Sequence, residues 1–128
     1  MILFFDRSMG TSIPKALALL KPPVEVVYHE QRFRPDEEDD QWLPEVGSWG
    51  WVVIGHDYKY HRMPNELAAL KQYQVGCFYL WGAEAKKWDT MRLFARAFDR
   101  IVDAAEITPR PFVYRVEKGG RLIPVQLA

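Results

Sequence analysis

Short apolar runs that alternate with helical segments constrain the fold of this chain more than any other sequence feature. Continuous apolar runs are typical of strands that are buried on both faces. Such runs occur at residues 2–5, 51–54 and 75–80, and we also expect strands at residues 24–28 and 112–116. Strands that alternate with helices predict a mostly parallel sheet with helices on both faces, joined by right-handed crossovers. The expected fold is therefore α/β, a three-layer α/β/α sandwich with Rossmann-like topology.

Segments with helical spacing lie between these runs, at residues 12–20, from 39 onward, 65–74 and about 85–105. Ser12 and Asn65 are expected to cap the first and third helices. Pro44 lies in the second, either within its first turn or at a kink. The longest helix carries an apolar stripe, which consists of Trp88, Met91, Phe94, Ala95, Phe98, Ile101 and Val102. Residues 122–125, beyond a Gly119-Gly120 turn, predict a terminal strand or hairpin.

The composition is that of an ordinary soluble protein with a single domain, residues 1–128. Lys and Arg number 17, and so do Asp and Glu, which gives a formal net charge of zero. Bulk charge therefore gives no attraction to nucleic acid, although a basic rim can exist on a neutral protein. Cys77 is the lone cysteine, which favours a reducing compartment. Because Asp6 interrupts the first apolar run, we expect neither a signal peptide nor a membrane span, and a cytoplasmic location.

Aspartates occupy the positions where an α/β sheet binds its ligands. Ligands of open α/β sheets lie beyond the carboxyl ends of the strands, where the strand order reverses. Asp6 ends the first predicted strand, and Asp57 follows the third. If these strands are neighbours, the two carboxylates converge. Asp39 and Asp40 open the helix that leads into the third strand, and they can approach the same edge.

This set of carboxylates predicts a divalent metal site. Carboxylates that share one rim repel each other unless a positive charge lies between them, and hard oxygen ligands favour Mg²⁺ or Mn²⁺. Such an ion orients a water, lowers its pKa and stabilises the charge that develops on a phosphodiester. We therefore predict metal-dependent phosphodiester hydrolysis, with Asp6, Asp39, Asp40 and Asp57 as metal ligands. The candidate catalytic residues are Asp6, Asp39 and Asp57.

Three segments of the sequence resemble PIN-like domains: FFDRSMG (4–10), DDQWLPEVG (39–47) and WVVIGHDYKY (51–60). They are closest to the compact branch of the family that includes VapC-type toxins of toxin–antitoxin pairs. The resemblance covers roughly residues 2–82. It implies a metal-dependent endoribonuclease with RNA as its substrate and, for a toxin, neutralisation by a partner antitoxin.

The aspartates match the pattern of this family residue by residue. Asp6 matches the aspartate that follows the first strand. Asp39 and Trp42 fit a D-x-x-apolar pattern at the start of a helix. Asp57 fits the aspartate of a T-x-D pattern after a buried strand. The resemblance therefore implies that these three aspartates form the catalytic site.

Two departures from the family pattern leave other functions open. Gly55 replaces the threonine of T-x-D, which removes a hydroxyl that could support the aspartate. A further acidic residue of fuller PIN sites has no clear counterpart, although Glu38 or Glu84 could replace it. A non-catalytic PIN-like binding module is therefore one alternative. A phospho-receiver domain is another, but receivers usually need an acidic pair after the first strand, where this chain has Asp6 followed by Arg7.

Basic residues near the aspartates are candidates for phosphate binding, because basic side chains hold a nucleic-acid backbone without reading its sequence. They are Arg7, Lys59, His61 and Arg62. Ordinary surface charge is the alternative interpretation for each of them. On the longest helix, three arginines recur every four residues, either as a solvated face or as an RNA contact: Arg92, Arg96 and Arg100. The excess of aromatic residues makes a homodimer a further expectation.

Overall fold

A six-stranded sheet forms the centre of the computed structural model, which describes residues 1–56 and 62–127. Its strands are β1 (Ile2–Phe5), β2 (Glu25–Tyr28), β3 (Val52–Gly55), β4 (Gly76–Leu80), β5 (Phe112–Val116) and β6 (Leu122–Pro124). They lie in the order β2-β1-β3-β4-β5-β6, with β1 to β5 parallel and β6 antiparallel to β5. The prediction of a mostly parallel sheet with a terminal hairpin is confirmed.

Helices cover both faces of this sheet in the described part of the chain: α1 (Ser12–Leu20), α2 (Asp39–Ser48), α3 (Pro64–Gln72) and α4 (Lys87–Ile107). Side chains of α1 and α4 pack in one core cluster, for example Leu17 and Phe94. Side chains of α2 and α3 pack in another, for example Trp42 and Leu70. Because the sheet lies between the two clusters, the fold has three layers, as the alternation of strands and helices predicts.

Strand β1 is buried on both faces, and its sequence explains why. Leu3 and Phe5 belong to the core cluster of α1 and α4, whereas Phe4 belongs to that of α2 and α3. Successive side chains of a strand point to opposite faces, so a strand between two helical layers needs an apolar residue at every position. Leu3, Phe4 and Phe5 are each 0% exposed.

Strands β1 and β3 are neighbours, as convergence of the aspartates requires. In the parallel register, Leu3 lies opposite Val52 and Phe5 opposite Ile54. The chain passes from β1 to β2 on one side and later returns to β3 on the other. The strand order therefore reverses between β1 and β3. The carboxyl ends of these two strands flank the position at which open α/β sheets bind ligands, and we call this position the switch point.

The starts of two helices differ from the prediction. Thr11, not Ser12, is the N-cap residue of α1, and the Thr11 side chain makes no capping hydrogen bond. Helix α3 begins at Pro64 instead of being capped by Asn65. Proline is favoured at the first helical position because it has no backbone N–H that would lack a hydrogen bond there, and because its φ is already close to the helical value. Pro44 lies inside α2, beyond the first turn.

The buried stripe of α4 agrees with the predicted one in part: Phe94 and Ile101 are buried, and Met91 and Phe98 pack against the same core cluster. Trp88 is 72% exposed, and Ala95 is exposed as well, whereas Leu93, Ala97 and Ala104 are buried. Small alanines let a helix approach the sheet closely, so the packed face is turned toward them. Trp88 lies in the first turn of α4, where its ring stays in solvent. Neither α4 nor any other helix in the described part of the chain is long and apolar enough to cross a bilayer.

Candidate functional site

Asp6 lies at the carboxyl end of β1, and a short turn fixes its carboxylate there. Its Oδ1 accepts a hydrogen bond from the Ser8 backbone N–H at 3.0 Å and another from the Ser8 hydroxyl. Its own backbone N–H donates to the Ile54 carbonyl on β3 at 3.0 Å. Asp6 is 1% exposed. It thus caps the 3-10 turn Arg7–Met9, and the same bonds hold a carboxylate at the switch point.

Gly55, the last residue of β3, leaves the space that the Asp6 carboxylate occupies. A Cβ at residue 55 would lie 2.8 Å from Asp6 Cγ and 2.9 Å from Oδ1, and it would lie closer still to Oδ2. Contacts this short force one of the two groups to move, so a threonine at residue 55 would displace Asp6. The departure from the T-x-D pattern therefore has a steric reason. A hydroxyl is still present at this edge, and Ser8 supplies it.

His56 follows Gly55 and joins β4 to the same turn. Its backbone N–H donates to Ser8 Oγ at 2.9 Å, and its ring Nδ1 lies 3.0 Å from the Leu80 carbonyl. A carbonyl only accepts, so Nδ1 carries the proton and Nε2 is the acceptor of the neutral ring. Burial lowers the pKa of His56 from its ordinary 6.5, the Leu80 carbonyl opposes this effect, and the charge of Lys87 adds to it. The imidazole is therefore neutral at pH 7.

Asp39 opens α2 as a buried carboxylate with a basic neighbour. Its Oδ1 accepts a hydrogen bond from Trp42 Nε1 at 3.0 Å and lies 3.5 Å from Nη2 of Arg7. Asp39 is 2% exposed. The bond to Trp42 spans three residues, the separation of neighbours on one helix face, which gives the D-x-x-apolar pattern a physical basis.

Arg7 ties the start of α2 to the turn after β1. Besides its contact with Asp39, it donates from Nη1 to the Pro35 carbonyl at 2.8 Å. Since Arg7 directly follows Asp6, its guanidinium brings positive charge to an edge that carries two buried carboxylates, those of Asp6 and Asp39.

A family model described as a PIN like domain matches residues 1–82 of the chain. The match covers more than half of the 128 residues and includes β1 to β4 and all the candidate aspartates. The chain belongs to the PIN-like domain family. PIN-like domains are commonly nucleases. No curated protein and no solved structure matches the chain significantly.

Asp6 and Asp39 are both buried candidate ligands among the described residues, but their carboxylates have different partners. Asp6 offers a hard oxygen donor in a fixed position at the switch point, which suits Mg²⁺ or Mn²⁺. The Oδ1 of Asp39 instead receives an indole N–H and a guanidinium. Within residues 1–56 and 62–127, no three His, Cys, Asp or Glu side chains form a group that could hold an ion.

The remaining predicted site residues do not all fall in the described part of the chain. Three of them lie outside it: Asp57, Lys59 and His61. Asp40 is half-buried in the first turn of α2, and Arg62 is exposed shortly before α3. Glu38 and Glu84, the possible replacements for a further acidic ligand, are both exposed. The contributions of these residues to the site stay predictions.

Two residues of this edge lie outside the set of sequence-predicted site residues. Ser8 bonds to Asp6, and an aspartate side chain often accepts a hydrogen bond from the backbone two residues further on, so the sequence carries a signal for this turn. Lys87 lies in the first turn of α4, and its Nζ is 3.0 Å from where a Cβ on Gly10 would stand. No local pattern predicts this approach, because Lys87 and Gly10 are far apart in the sequence.

Proposed function

We propose that this PIN-like domain is a metal-dependent endoribonuclease that hydrolyses the phosphodiester bonds of RNA. The observation that carries the proposal is the fixed carboxylate of Asp6 at the switch point, in a chain whose family commonly consists of nucleases. The Ser8 donors and the space left by Gly55 keep one ligand oxygen in place before any ion arrives. Preorganisation of this kind reduces the free-energy cost of binding.

Mg²⁺ or Mn²⁺ is the ion that such oxygen donors favour. We assign Asp6 and Asp57 as its central ligands, with Asp40 as a further ligand from α2. When bound, the ion orients a water, lowers the pKa of that water and stabilises the charge that develops on the phosphodiester. Although the D-x-x-apolar pattern predicts Asp39 as a ligand, its Oδ1 already receives Arg7 and Trp42. We therefore assign Asp39 to positioning Arg7.

The basic residues that the sequence predicts for phosphate binding are the proposed contacts to RNA: Arg7, Lys59, His61 and Arg62. The side chain of Arg7 is 31% exposed, so it remains accessible to a ligand while two contacts orient it. A guanidinium has five N–H donors, and its bonds to Pro35 and Asp39 do not use all of them. Arg7 can therefore hold a phosphate without losing its own support.

Incubation of the protein with a labelled single-stranded RNA and Mn²⁺ or Mg²⁺ tests this function. Asp6→Asn keeps the size of the side chain and an oxygen that can accept from Ser8, but it removes the charge. We expect Asp6→Asn to lower the cleavage rate at least roughly 100-fold, the upper end of the cost of losing a second-shell partner. Asp103→Asn alters an exposed carboxylate of α4 and should cleave like the wild type. Cleavage by Asp6→Asn at the wild-type rate would mean that the site is assigned wrongly.

We further propose that this ribonuclease is the toxin of a toxin–antitoxin pair, acts in the cytoplasm and is neutralised by an antitoxin protein. The resemblance to VapC-type toxins supports this role. Exposed apolar residues such as Leu19 and Leu20, 83% and 72% exposed, offer surface for an antitoxin or a second copy of the chain. Induced expression in a bacterial host should arrest growth, and Asp6→Asn should relieve the arrest. Normal growth of cells that express wild-type protein able to cleave RNA would contradict the toxin role but not the ribonuclease function.

A non-catalytic PIN-like binding module is the second candidate function. The observation that favours it is that no three metal-binding side chains form a group in residues 1–56 and 62–127. Calorimetry separates the two candidates, because the nuclease requires Mn²⁺ to bind and Asp6→Asn to weaken that binding. A flat titration at millimolar Mn²⁺ would favour the non-catalytic module.

A further inference from the structure

A groove at the carboxyl edge of the sheet combines exposed positive charge with an exposed tryptophan. It has a volume of about 560 Å³ and lies between the first half of α4 and the segments that follow β4 and β5. Trp81 and Lys118 line one side of it, and Arg92 and Arg96 of α4 line the other. We call it the basic–aromatic groove. Its volume falls within the range of roughly 300–1,000 Å³ that is typical of ligand sites.

The basic–aromatic groove concentrates positive charge on a chain whose formal net charge is zero. Among the described residues, four cationic side chains line it, against two acidic ones, Glu84 and Asp89. The cationic side chains are Lys86, Arg92, Arg96 and Lys118. A local excess of positive charge attracts a polyanion even when the net charge of the protein does not.

The cations of the groove differ in how firmly they are held. Arg92 lies 3.9 Å from Asp89 in an exposed pair, with side chains 60% and 51% exposed, and such pairs are weak. Arg96 donates to the Lys118 carbonyl on the β5–β6 hairpin at 3.5 Å. Arg100, the next arginine of the predicted stripe, donates to the Gly120 carbonyl at 3.0 Å. Arg92 and Lys118 are therefore the cations best placed to contact a ligand, whereas Arg100 holds the hairpin against α4.

Trp81 has the properties of a stacking platform. Its side chain is 40% exposed, and the Nζ of Lys118 lies 5.2 Å from its ring centroid. Its backbone N–H donates to the Val116 carbonyl at the end of β5 at 2.8 Å, which fixes the residue to the sheet. An indole that is held by its backbone and left partly in solvent can stack on a nucleobase, while a nearby cation contacts the phosphate.

Hydrogen bonds connect this platform to the candidate metal site. Trp81 directly follows Leu80, whose carbonyl bonds to the His56 ring at 3.0 Å. The backbone N–H of His56 donates to Ser8 Oγ at 2.9 Å, and Ser8 in turn bonds to Asp6. The platform and Asp6 therefore belong to one continuous edge, which is formed by the carboxyl ends of β1, β3, β4 and β5.

We propose that the basic–aromatic groove binds single-stranded RNA and leads it to Asp6, with one base stacked on Trp81 and phosphates held by Arg92 and Lys118. The proposal rests on the ribonuclease function in naming RNA and its path toward Asp6. The single-stranded form follows from the platform, because the bases of a duplex are already stacked on each other and are not open to an indole. The groove is also outside residues 1–82, which match the PIN-like family model, apart from Trp81.

Binding is measured without cleavage, by fluorescence anisotropy of a fluorescein-labelled single-stranded RNA in EDTA. We expect Trp81→Ala to weaken binding roughly 5- to 100-fold, as loss of one stacked base does, and Trp81→Phe to retain most of the affinity. The double variant Arg92→Ala/Lys118→Ala should lower the slope of log Kd against log salt concentration by about 1.4, since each phosphate contact contributes about 0.7 for single strands. Lys71→Ala alters an exposed cation on α3, on the opposite face of the sheet, and should bind like the wild type.

Competitors identify the ligand class. Unlabelled single strands should displace the probe, whereas duplex RNA and polyglutamate should do so poorly. Equal competition by polyglutamate, with the same loss in Trp81→Ala, would overturn the proposal in favour of an acidic peptide. Equal competition by duplex RNA, or wild-type affinity in both Trp81→Ala and the double variant, would overturn it as well.

Binding and cleavage by the wild type and the groove variants separate this proposal from the ribonuclease function. If the wild type binds RNA through Trp81 but does not cleave it, the groove proposal is supported and the ribonuclease function is contradicted. If the wild type cleaves RNA and the groove variants bind and cleave equally well, the groove proposal is contradicted and the ribonuclease function is supported.

Discussion

The carboxylate of Asp6 lies in the space that a Cβ on Gly55 would occupy. Such a Cβ would be only 2.8 Å from the Cγ of Asp6. The two residues stand at the carboxyl ends of neighbouring strands, so the size of residue 55 on β3 controls the position of a carboxylate on β1. The proposed metal ligand is therefore held by a packing relationship across the switch point as well as by the Ser8 donors.

Gly55→Ala should displace Asp6 and weaken metal binding. The added methyl meets the carboxylate, and overpacking of this kind costs typically about 1–3 kcal/mol of unfolding free energy. Displacement of the ligand should also weaken Mn²⁺ binding roughly 10- to 100-fold, as disturbance of a metal ligand's support does. Urea unfolding measures the first effect, and calorimetry with Mn²⁺ measures the second.

Two variants control for general effects of the Gly55 substitution. Gly119→Ala adds the same methyl where no heavy atom of the described residues lies within 4 Å, so neither stability nor Mn²⁺ affinity should fall. In an Asp6→Ala background the carboxylate is gone, and Gly55→Ala should then cost much less stability than in the wild type. An equal cost in both backgrounds would show that the methyl clashes with something other than Asp6.

Asp39 should stabilise the start of α2 mainly through Trp42. Asp39→Ala removes the hydrogen bond that the buried indole N–H of Trp42 donates to Asp39, and such a loss costs about 1–3 kcal/mol. Asp39→Asn keeps an oxygen that can accept from Trp42 but loses the charge facing Arg7. Since Arg7 is 31% exposed, that charge contributes little, and Asp39→Asn should cost no more than about 1 kcal/mol. Urea unfolding of the two variants at pH 7 measures both costs.

An exposed ion pair elsewhere in the chain provides the matched control for Asp39. Arg34 and Asp36 lie 3.8 Å apart with side chains 79% and 85% exposed. Asp36→Ala should therefore change the unfolding free energy by less than about 0.5 kcal/mol. The role assigned to Trp42 would be wrong if Asp39→Asn destabilised the protein as strongly as Asp39→Ala.

The order of strands and helices follows from local patterns, which explains why the sequence predicts it. A strand such as Ile2–Phe5 has to be apolar at every position once both faces are covered, and this requirement is visible within a few residues. Local patterns predict the buried face of α4 less completely. The apolar stripe of the sequence includes Trp88, which is exposed, whereas the small side chains of Ala97 and Ala104 are buried. Which face packs is decided by contacts across layers, not by hydrophobicity along one helix.

The candidate site likewise combines features that local sequence patterns predict with features that depend on tertiary contacts. The position of Asp6 at the switch point follows from an apolar run, a following aspartate and the topology of α/β sheets. The contact between Asp6 and Gly55 cannot be predicted from these patterns, because it depends on which residues of two separate strands face each other. The contact between Arg7 and Asp39 likewise joins segments that are distant in sequence. The sequence therefore predicts phosphate binding for Arg7, but not its contact with Asp39. Tertiary proximity supplies the information that single-sequence patterns lack.

A buried histidine near this edge makes stability depend on pH. His29 is 1% exposed and packs against the rings of Phe4, Phe33 and Trp42. Among the described residues, neither of its ring nitrogens has a hydrogen-bond partner. Burial lowers the pKa of His29 from its ordinary 6.5, and the charge of Arg7 lowers it further. Three acidic groups oppose this shift: Glu37, Asp39 and Glu30.

His29 should therefore contribute stability that is fully present above pH 6.5 and is lost as the pH falls from 6.5 through its lowered folded-state pKa. In that window the unfolded chain binds a proton that the folded chain resists, so the unfolding free energy falls on acidification, by at most about 1.4 kcal/mol per pH unit for one proton. His29→Phe retains a ring in the aromatic cluster but cannot titrate. Urea unfolding at pH 7.5 and 5.5 should show a smaller loss for His29→Phe than for the wild type. His56, whose pKa is also lowered, is present in both proteins, so the difference between their pH profiles isolates His29, and parallel profiles would contradict its assignment.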